Sequence, residues 1–143
     1  MGAGARGAGR LTRATRRIDP AAWRDPRHRR GLAAEREASG YLMSLGGAVE
    51  AHRFRVGRHE VDLVVRFGRT VAFVEVKHRR VPTAGTGAEA VHWRKRRAIA
   101  RVAEAWRLRH GRAGDTYRFD VVAIEEWRRG PDRLTHVVDA WRM

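Results

Sequence analysis

The sequence predicts one α/β domain in which helices flank a mixed β-sheet. Two segments with strand-like patterns are separated by a two-residue turn, which predicts an antiparallel hairpin. A long helical segment then joins this hairpin to another strand, and such a crossover is long enough for parallel pairing. The predicted order is α-β-β-β-α-β-β. The chain has 143 residues, which is enough for one hydrophobic core.

The first 30 residues are predicted to lie outside this domain as a disordered basic extension. Residues 1–30 contain nine Arg and only two acids, Asp19 and Asp25, and they show no sustained apolar periodicity. Two interpretations remain open: an arm that follows the phosphates of a nucleic acid, or a solvated leader without that role. Residues 31–143 form the predicted folded domain.

Glycines and apolar periodicity delimit the elements of the first half. The pair Gly46-Gly47 is typical of a helix end, and it follows apolar residues at helical spacing. The pair Gly68-Arg69 is a plausible hairpin turn with Gly first. The predicted elements are a helix over Leu32–Leu45 and strands over Ala48–Arg55, His59–Phe67 and Thr70–Arg79.

The second half begins with a Pro- and Gly-containing loop over Arg80–Gly87. A helix follows, and Gly111 is its expected stop. Trp106 is expected to pack in the core from this helix, and the turn residues Gly130-Pro131-Asp132 separate the last two strands. The predicted elements are a helix over Ala88–His110 and strands over Tyr117–Ile124 and Leu134–Ala140.

The hairpin turn fixes which residues face one another across its two strands. With Gly68 and Arg69 as the turn, Asp62 lies opposite Glu75, and Glu60 lies opposite Lys77. Directly opposed residues have Cβ atoms about 4.5–5.5 Å apart. Strict alternation places the apolar residues 61, 63 and 65 together on the other face of the hairpin. One face is therefore apolar, and the other collects charge at the end far from the turn.

Two carboxylates that face each other repel, so either one is protonated or a cation lies between them. Such oxygen ligands suit Mg²⁺ or Mn²⁺, and Mg²⁺ is usually held by one or two carboxylates with water and substrate phosphate. Lys77 follows Glu75 on the same face, and its ammonium can favour hydroxide over water and stabilise phosphorane charge. Glu35 borders the buried stripe of the first helix and can add a carboxylate. The other interpretation is structural: Glu60 and Lys77 form an ordinary ion pair, and Asp62 meets an arginine.

The charge balance favours a polyanionic partner. There are 31 Lys and Arg against 16 Asp and Glu, which gives a net charge of +15. Lysine occurs only at Lys77 and Lys95, which indicates that an ammonium is needed at these positions. Lys95 either extends outward to solvent or reaches the acidic cluster. Arg94, Arg96 and Arg97 either bind phosphates, with a steep salt dependence, or form a solvated helix face.

Several classes of protein are not expected. The chain has no Cys, which excludes disulfides, thiolate catalysis and Cys-based zinc sites. No run approaches the roughly 18 apolar residues of a membrane span, so no membrane partner is expected. The N-terminus lacks the apolar region of a secretory signal. These observations fit a cytoplasmic protein.

Two strand motifs resemble a known family. Asp62 followed by Glu75-Val76-Lys77 resembles the D…(D/E)xK signature of restriction-endonuclease-like nucleases. More narrowly, about residues 30–125 resemble the YraN-like family of predicted nucleases, which are similar to archaeal Holliday-junction resolvases. The residues that carry the resemblance are Gly31, Glu35, Ala38, Tyr41-Leu42, Gly46, Glu60-Val61-Asp62-Leu63-Val64, Phe73-Val74-Glu75-Val76-Lys77, Lys95 and Arg118-Phe119-Asp120-Val121-Val122.

The resemblance implies a restriction-endonuclease-like fold and a metal-dependent DNA endonuclease, selective for branched or single-stranded DNA. It implies that Asp62 and Glu75 bind Mg²⁺ with help from Glu35, that Lys77 positions the water, and that the protein is a homodimer. His59 and Ala34 stand where the family usually has Gly, and His59 puts the fit of substrate in doubt. One alternative is a non-catalytic basic nucleic-acid-binding module of the same fold. Another is an interaction protein whose acidic cluster is only an ion-pair network.

Overall fold

The computed structural model describes the backbone of residues 26–80, 93–127 and 129–142, and their side chains except those of residues 26–30, 93 and 94. Three expectations therefore fall partly outside the described residues. They concern the N-terminal extension before residue 26, the loop and helix start over residues 81–92, and the side chain of Arg94.

Two helices and five strands follow one another in the predicted order. Helix α1 begins at Pro26, before the predicted start at Leu32, so residues 26–30 of the expected extension are helical. The bounds are α1 Pro26–Ser44, β1 Ala48–Val56, β2 His59–Phe67, β3 Thr70–Arg80, α2 Trp93–His110, β4 Thr116–Glu126 and β5 Arg133–Trp141.

The five strands form one mixed sheet in the order β1-β2-β3-β4-β5. Strands β3 and β4 pair in parallel, because α2 carries the chain back between them. The other three pairings are antiparallel. The predicted mixed α/β architecture is confirmed. Neither helix in the described ranges has the length and apolar character to cross a membrane.

Both hairpins of the first half turn on a glycine. The predicted turn is confirmed, since Phe67 pairs with Thr70 and Gly68 adopts a φ of 61°. A second two-residue turn joins β1 to β2, where Val56 pairs with His59 and Gly57 has a φ of 60°. Glycine adopts positive φ without the steric cost that a Cβ imposes. These two turns set the register of the three strands that carry the acidic residues.

Apolar side chains cover both faces of the sheet, one under each helix. Trp106 is 4% exposed, which confirms its predicted place in the core. Val61 packs on the α2 side, although alternation predicted that it would share a face with Leu63 on the α1 side. The alternation is wrong here, at the point where Arg53 on the paired strand β1 has a φ of 55° in place of an extended conformation. The α1 side contains Ala34, Ala38, Leu42, Val49, Leu63, Val65, Ala72, Val74, Val122 and Ile124, and the α2 side contains Val61, Val64, Val71, Phe73, Ile99, Val102, Ala103, Trp106, Val121 and Trp141.

Candidate active site

The candidate site lies where β2 and β3 separate. Their pairing runs from the turn to Leu63 and Val74 in the predicted register. Beyond that pair, the carboxylate of Asp62 accepts a hydrogen bond from the backbone amide of Val76, with Oδ2 2.7 Å from the nitrogen. The side chain of Asp62 thus occupies the opening between the two strands. Asp62 and Glu75 are neighbours, as predicted, but they are not a hydrogen-bonded strand pair.

Glu60 and Lys77 do not form the cross-strand ion pair of the structural interpretation. Glu60 Oε2 lies 3.5 Å from Nε of Arg55, the residue of β1 that pairs with Glu60 of β2. Lys77 is exposed on β3, two residues after Glu75. Its ammonium lowers the pKa of Glu75, which places it close to the acidic cluster. Lys77 is therefore available to a ligand that approaches this end of the sheet.

Glu75 is buried with an unsatisfied oxygen. The residue is 7% exposed, and its Oε1 has no hydrogen-bond partner among the described residues. Its Oε2 lies 3.5 Å from Nζ of Lys95, in the first turn of α2. Lys95 thus reaches the acidic cluster, one of its two predicted placements, while its side chain stays about half exposed. A buried carboxylate oxygen without a donor is costly, so this position favours a cation.

The pKa values of both carboxyls are raised. Burial raises the pKa of Asp62 well above its ordinary value, and the negative charges of Glu75 and Glu35 raise it further. Burial also raises the pKa of Glu75, and Lys95 and Lys77 only partly oppose this effect. Two such groups resist being ionised together. The pair either holds a proton or needs a cation beside it.

Glu35 of α1 lies close enough to raise the pKa of Asp62, but its carboxylate is bound by two residues of β1. His52 Nε2 lies 2.5 Å from Oε1 of Glu35, and Arg53 donates from Nε and Nη2 at 2.9 and 3.0 Å. Burial alone would raise the pKa of Glu35, yet these hydrogen bonds outweigh it and hold the pKa below its ordinary value. Glu35 is therefore an ionised, fully engaged carboxylate.

The predicted basic residues of α2 differ in their surroundings. The guanidinium of Arg96 lies over the ring of Trp141, 5.6 Å from its centroid. Arg97 is exposed, and the side chain of Arg94 lies outside the described residues. Among these basic residues, Lys95 lies beside a carboxylate, that of Glu75. A helix with such basic residues suits a phosphate backbone.

Asp62 and Glu75 fit one Mg²⁺ ion. In the ranges that the structure describes, no group of three or more His, Asp or Glu side chains could hold a metal ion. Mg²⁺ does not require three, because one or two carboxylates with waters and phosphate oxygens are its usual ligands. The unpartnered Oε1 of Glu75 is the observation that supports this fit.

The roles of His52 and Arg53 were not predicted from the sequence. Both lie on a strand with little periodicity, and nothing near them in the sequence indicates a bond to Glu35. Arg53 also has a φ of 55°, which is uncommon for a residue other than Gly, Asn or Asp. The presence of an arginine at this position does not indicate a positive φ, so nothing in the sequence predicts this conformation.

Comparison with known proteins places this chain in a family. The model of the Uncharacterised protein family UPF0102 matches residues 34–124. A UPF0102 protein of Methylorubrum extorquens is 44% identical over 122 residues, which cover 85% of this chain and 93% of the relative. Those of Frankia alni and Geobacter sulfurreducens are 38% and 37% identical, over 78% and 79% of this chain and 92% and 88% of each relative. The chain therefore belongs to UPF0102, the YraN-like family.

Proposed function

We propose that this protein is a Mg²⁺-dependent DNA endonuclease that hydrolyses phosphodiester bonds and prefers branched or single-stranded DNA. One observation carries the proposal: Asp62 and Glu75 lie together in the opening between two strands, both with raised pKa values, and Glu75 keeps a buried oxygen without a partner. Perturbed carboxyls of this kind cluster at functional sites. The resemblance of Asp62 and Glu75-Val76-Lys77 to the nuclease signature supports the same conclusion.

The described side chains divide the work of hydrolysis. Asp62 and Glu75 would hold Mg²⁺, which supplies positive charge that polarises the phosphate and favours deprotonation of water. Lys77 orients the attacking water and offers its ammonium to the charge that develops on the phosphate oxygens. Lys95 neutralises part of the charge of Glu75 and can contact a phosphate, because half of its side chain remains exposed.

Positive charge brings the DNA to this site. The chain carries +15, and the exposed Lys95 and Lys77 lie close to Glu75. This charge supports DNA as the partner, and it supports the second candidate function as well. The second candidate is a basic nucleic-acid-binding module that does not cleave. The resemblance to resolvases favours a homodimer, which sedimentation of the full chain would test.

Cleavage of labelled DNA tests the proposal. Branched, single-stranded and linear duplex DNA are incubated with Mg²⁺ or Mn²⁺ and with the wild type, Asp62→Ala, Lys77→Ala or Arg142→Ala. Arg142 is the matched control, because its side chain is 85% exposed and pairs only locally, with Asp139. We expect the wild type and Arg142→Ala to cut, and the other two variants to lose at least about 100-fold in rate.

Binding of the same DNA separates the two candidate functions. If all four proteins bind with a steep salt dependence and none cuts, the nuclease proposal is wrong and the binding module replaces it. Equal cutting by Asp62→Ala and the wild type would also contradict the proposal, since contamination or another site would then be responsible.

A further inference from the structure

Arg53 lies near three acidic residues, Glu35, Glu60 and Asp62. The strand pairs on either side of it join His52 to Leu63 and Phe54 to Val61. This register places Arg53 opposite Asp62 across β1 and β2. Burial lowers the pKa of the guanidinium, but the hydrogen bonds and charge of Glu35 outweigh it, and the charges of Glu60 and Asp62 raise the pKa further. Arg53 is thus close enough to Asp62 for the two charges to act on each other.

The guanidinium of Arg53 holds both oxygens of Glu35. Nε donates to Oε1 at 2.9 Å and Nη2 donates to Oε2 at 3.0 Å, which is the bidentate geometry that makes Arg–carboxylate pairs strong. The two side chains are 15% and 7% exposed, so water competes poorly for either. His52 occupies Oε1 as well. Both oxygens of Glu35 are thus bound by residues of β1 while this arrangement persists.

The backbone of Arg53 is strained. Its φ of 55° places it in the left-handed region, which costs a residue with a large side chain about 1 kcal/mol or more. Asn and Gly adopt this conformation more readily. Strain of this kind is retained where the side chain contributes something that a relaxed residue does not. The contribution visible here is the bidentate hold on Glu35.

From these observations we propose that Arg53 is a positioning residue that competes with the metal for Glu35 and thereby weakens metal binding at Asp62 and Glu75. The inference rests on the proposed function, because it assumes that these two carboxylates bind Mg²⁺. With Arg53 in place, the site has two carboxylate ligands and a fixed positive charge beside them. Without Arg53, Glu35 becomes a third carboxylate that faces the same ion.

The expected change in affinity follows from charge alone. Removing one unit charge at about 6 Å from a divalent ion strengthens its binding about tenfold even in a water-like dielectric. A newly released Glu35 adds to that gain. Arg53→Lys keeps the charge but cannot form the bidentate pair, so it tests the release of Glu35 alone and should bind up to about threefold more tightly than the wild type.

Mn²⁺ binding to the full chain, measured by calorimetry without DNA, tests the inference. The proteins are the wild type, Arg53→Asn, Arg53→Gly, Arg53→Lys and the control Arg142→Asn, which also removes one positive charge but at the far end of the sheet. We expect about tenfold tighter binding for the Asn and Gly variants, and an unchanged affinity for the control. Adding Glu35→Gln to Arg53→Asn should remove most of the gain.

The outcomes separate the inference from the proposed function. If the wild type binds Mn²⁺ and neither the Asn nor the Gly variant binds more tightly, Arg53 does not compete, and the metal site itself stands. If the double variant keeps the full gain, Glu35 is not involved and the competition is wrong. If the wild type binds no Mn²⁺, or binds it equally after Asp62→Ala, the metal site fails and the inference fails with it.

Discussion

Asp62 and Asp120 are two aspartates in neighbouring parts of one sheet with opposite surroundings. Asp62 accepts one described backbone hydrogen bond, from Val76, and has two carboxyl neighbours. Asp120 is 0% exposed and accepts bonds from several donors. These donors are Arg118 Nε at 3.0 Å, Arg118 Nη2 at 3.1 Å, His136 Nε2 at 2.9 Å and the Asp139 amide at 3.0 Å.

Burial alone does not decide the charge of a carboxyl. Burial raises the pKa of both groups, but the donors around Asp120 outweigh it and lower the pKa of that carboxyl. At Asp62 the neighbouring Glu75 and Glu35 add to the effect of burial. A carboxylate with enough hydrogen-bond donors, such as Asp120, stabilises the fold. The Asp62–Glu75 pair lacks such donors, and a bound cation could supply the missing positive charge. Asp120 therefore serves structure, and Asp62 is the candidate for function.

The largest expected effect is on stability. Asp120→Ala should lower the free energy of unfolding by about 3–5 kcal/mol, because it leaves Arg118 and His136 without their buried partner. Asp62→Asn should change it by less than about 1 kcal/mol in either direction, because the amide oxygen still accepts from Val76 and the repulsion from Glu75 disappears. Urea unfolding at pH 7 without metal measures both. Equal destabilisation by the two variants would contradict the distinction.

The pH dependence of stability should carry opposite signs for the two aspartates. The raised pKa of Asp62 means that the folded state binds more protons than the unfolded state above pH 3.8, so its contribution to stability falls as pH rises through that raised pKa. The lowered pKa of Asp120 gives stability that is present above pH 3.8 and is lost as pH falls through its folded pKa.

Urea unfolding from pH 3 to pH 7 measures this dependence. The acidic pair should give a rise in wild-type stability as pH falls through its raised pKa values, by up to about 1.4 kcal/mol per pH unit for each extra proton bound, and stability should then decrease in stronger acid. In Asp62→Asn the rise should shrink, while the decrease in acid stays. The histidines contribute to both proteins, so the difference between the two curves isolates the acidic pair. Superimposable curves would show that the pKa of Asp62 is not raised.

The sequence was sufficient where local signals set the structure. The bounds of β2 were predicted correctly because Gly68 marks one end of the hairpin and alternation marks its length. The same turn gave the register that brings Asp62 near Glu75. Lys95 was singled out because lysine is rare in this chain, and it does reach Glu75. Each of these inferences needed only a short stretch of sequence.

The sequence was insufficient where contacts join distant segments or the backbone departs from regular geometry. Nothing near Asp120 predicts its bond to His136, and nothing near Arg66 predicts its bidentate pair with Asp115, 49 residues away. Val61 and Leu63 lie on different faces because the β1–β2 hairpin is irregular at Arg53, and strict alternation assumes a regular extended backbone. Periodicity describes one element at a time, so neither kind of feature is visible to it.

The smallest predicted effect tests how far the network of Asp120 extends. His136 binds Asp120 through Nε2, and its Nδ1 lies 3.1 Å from the hydroxyl of Tyr41 on α1. With Nε2 donating to the carboxylate, neutral His136 has Nδ1 as an acceptor, so Tyr41 donates the second bond. This pair connects the helix that carries Glu35 to β5, the edge strand on the far side of β4.

Tyr41→Phe should therefore lower the free energy of unfolding by about 0.5–1.5 kcal/mol, the usual net value of one such hydrogen bond. The ring is kept, so its edge-on contact with His136, at 5.4 Å between centroids, should survive. Urea unfolding of the wild type, Tyr41→Phe, Asp120→Ala and the double variant measures this cost with and without Asp120. If the tyrosine acts through the network, its cost should nearly vanish once Asp120 is gone, because His136 is then no longer held in place. Additive costs would instead show that Tyr41 and Asp120 stabilise the fold independently.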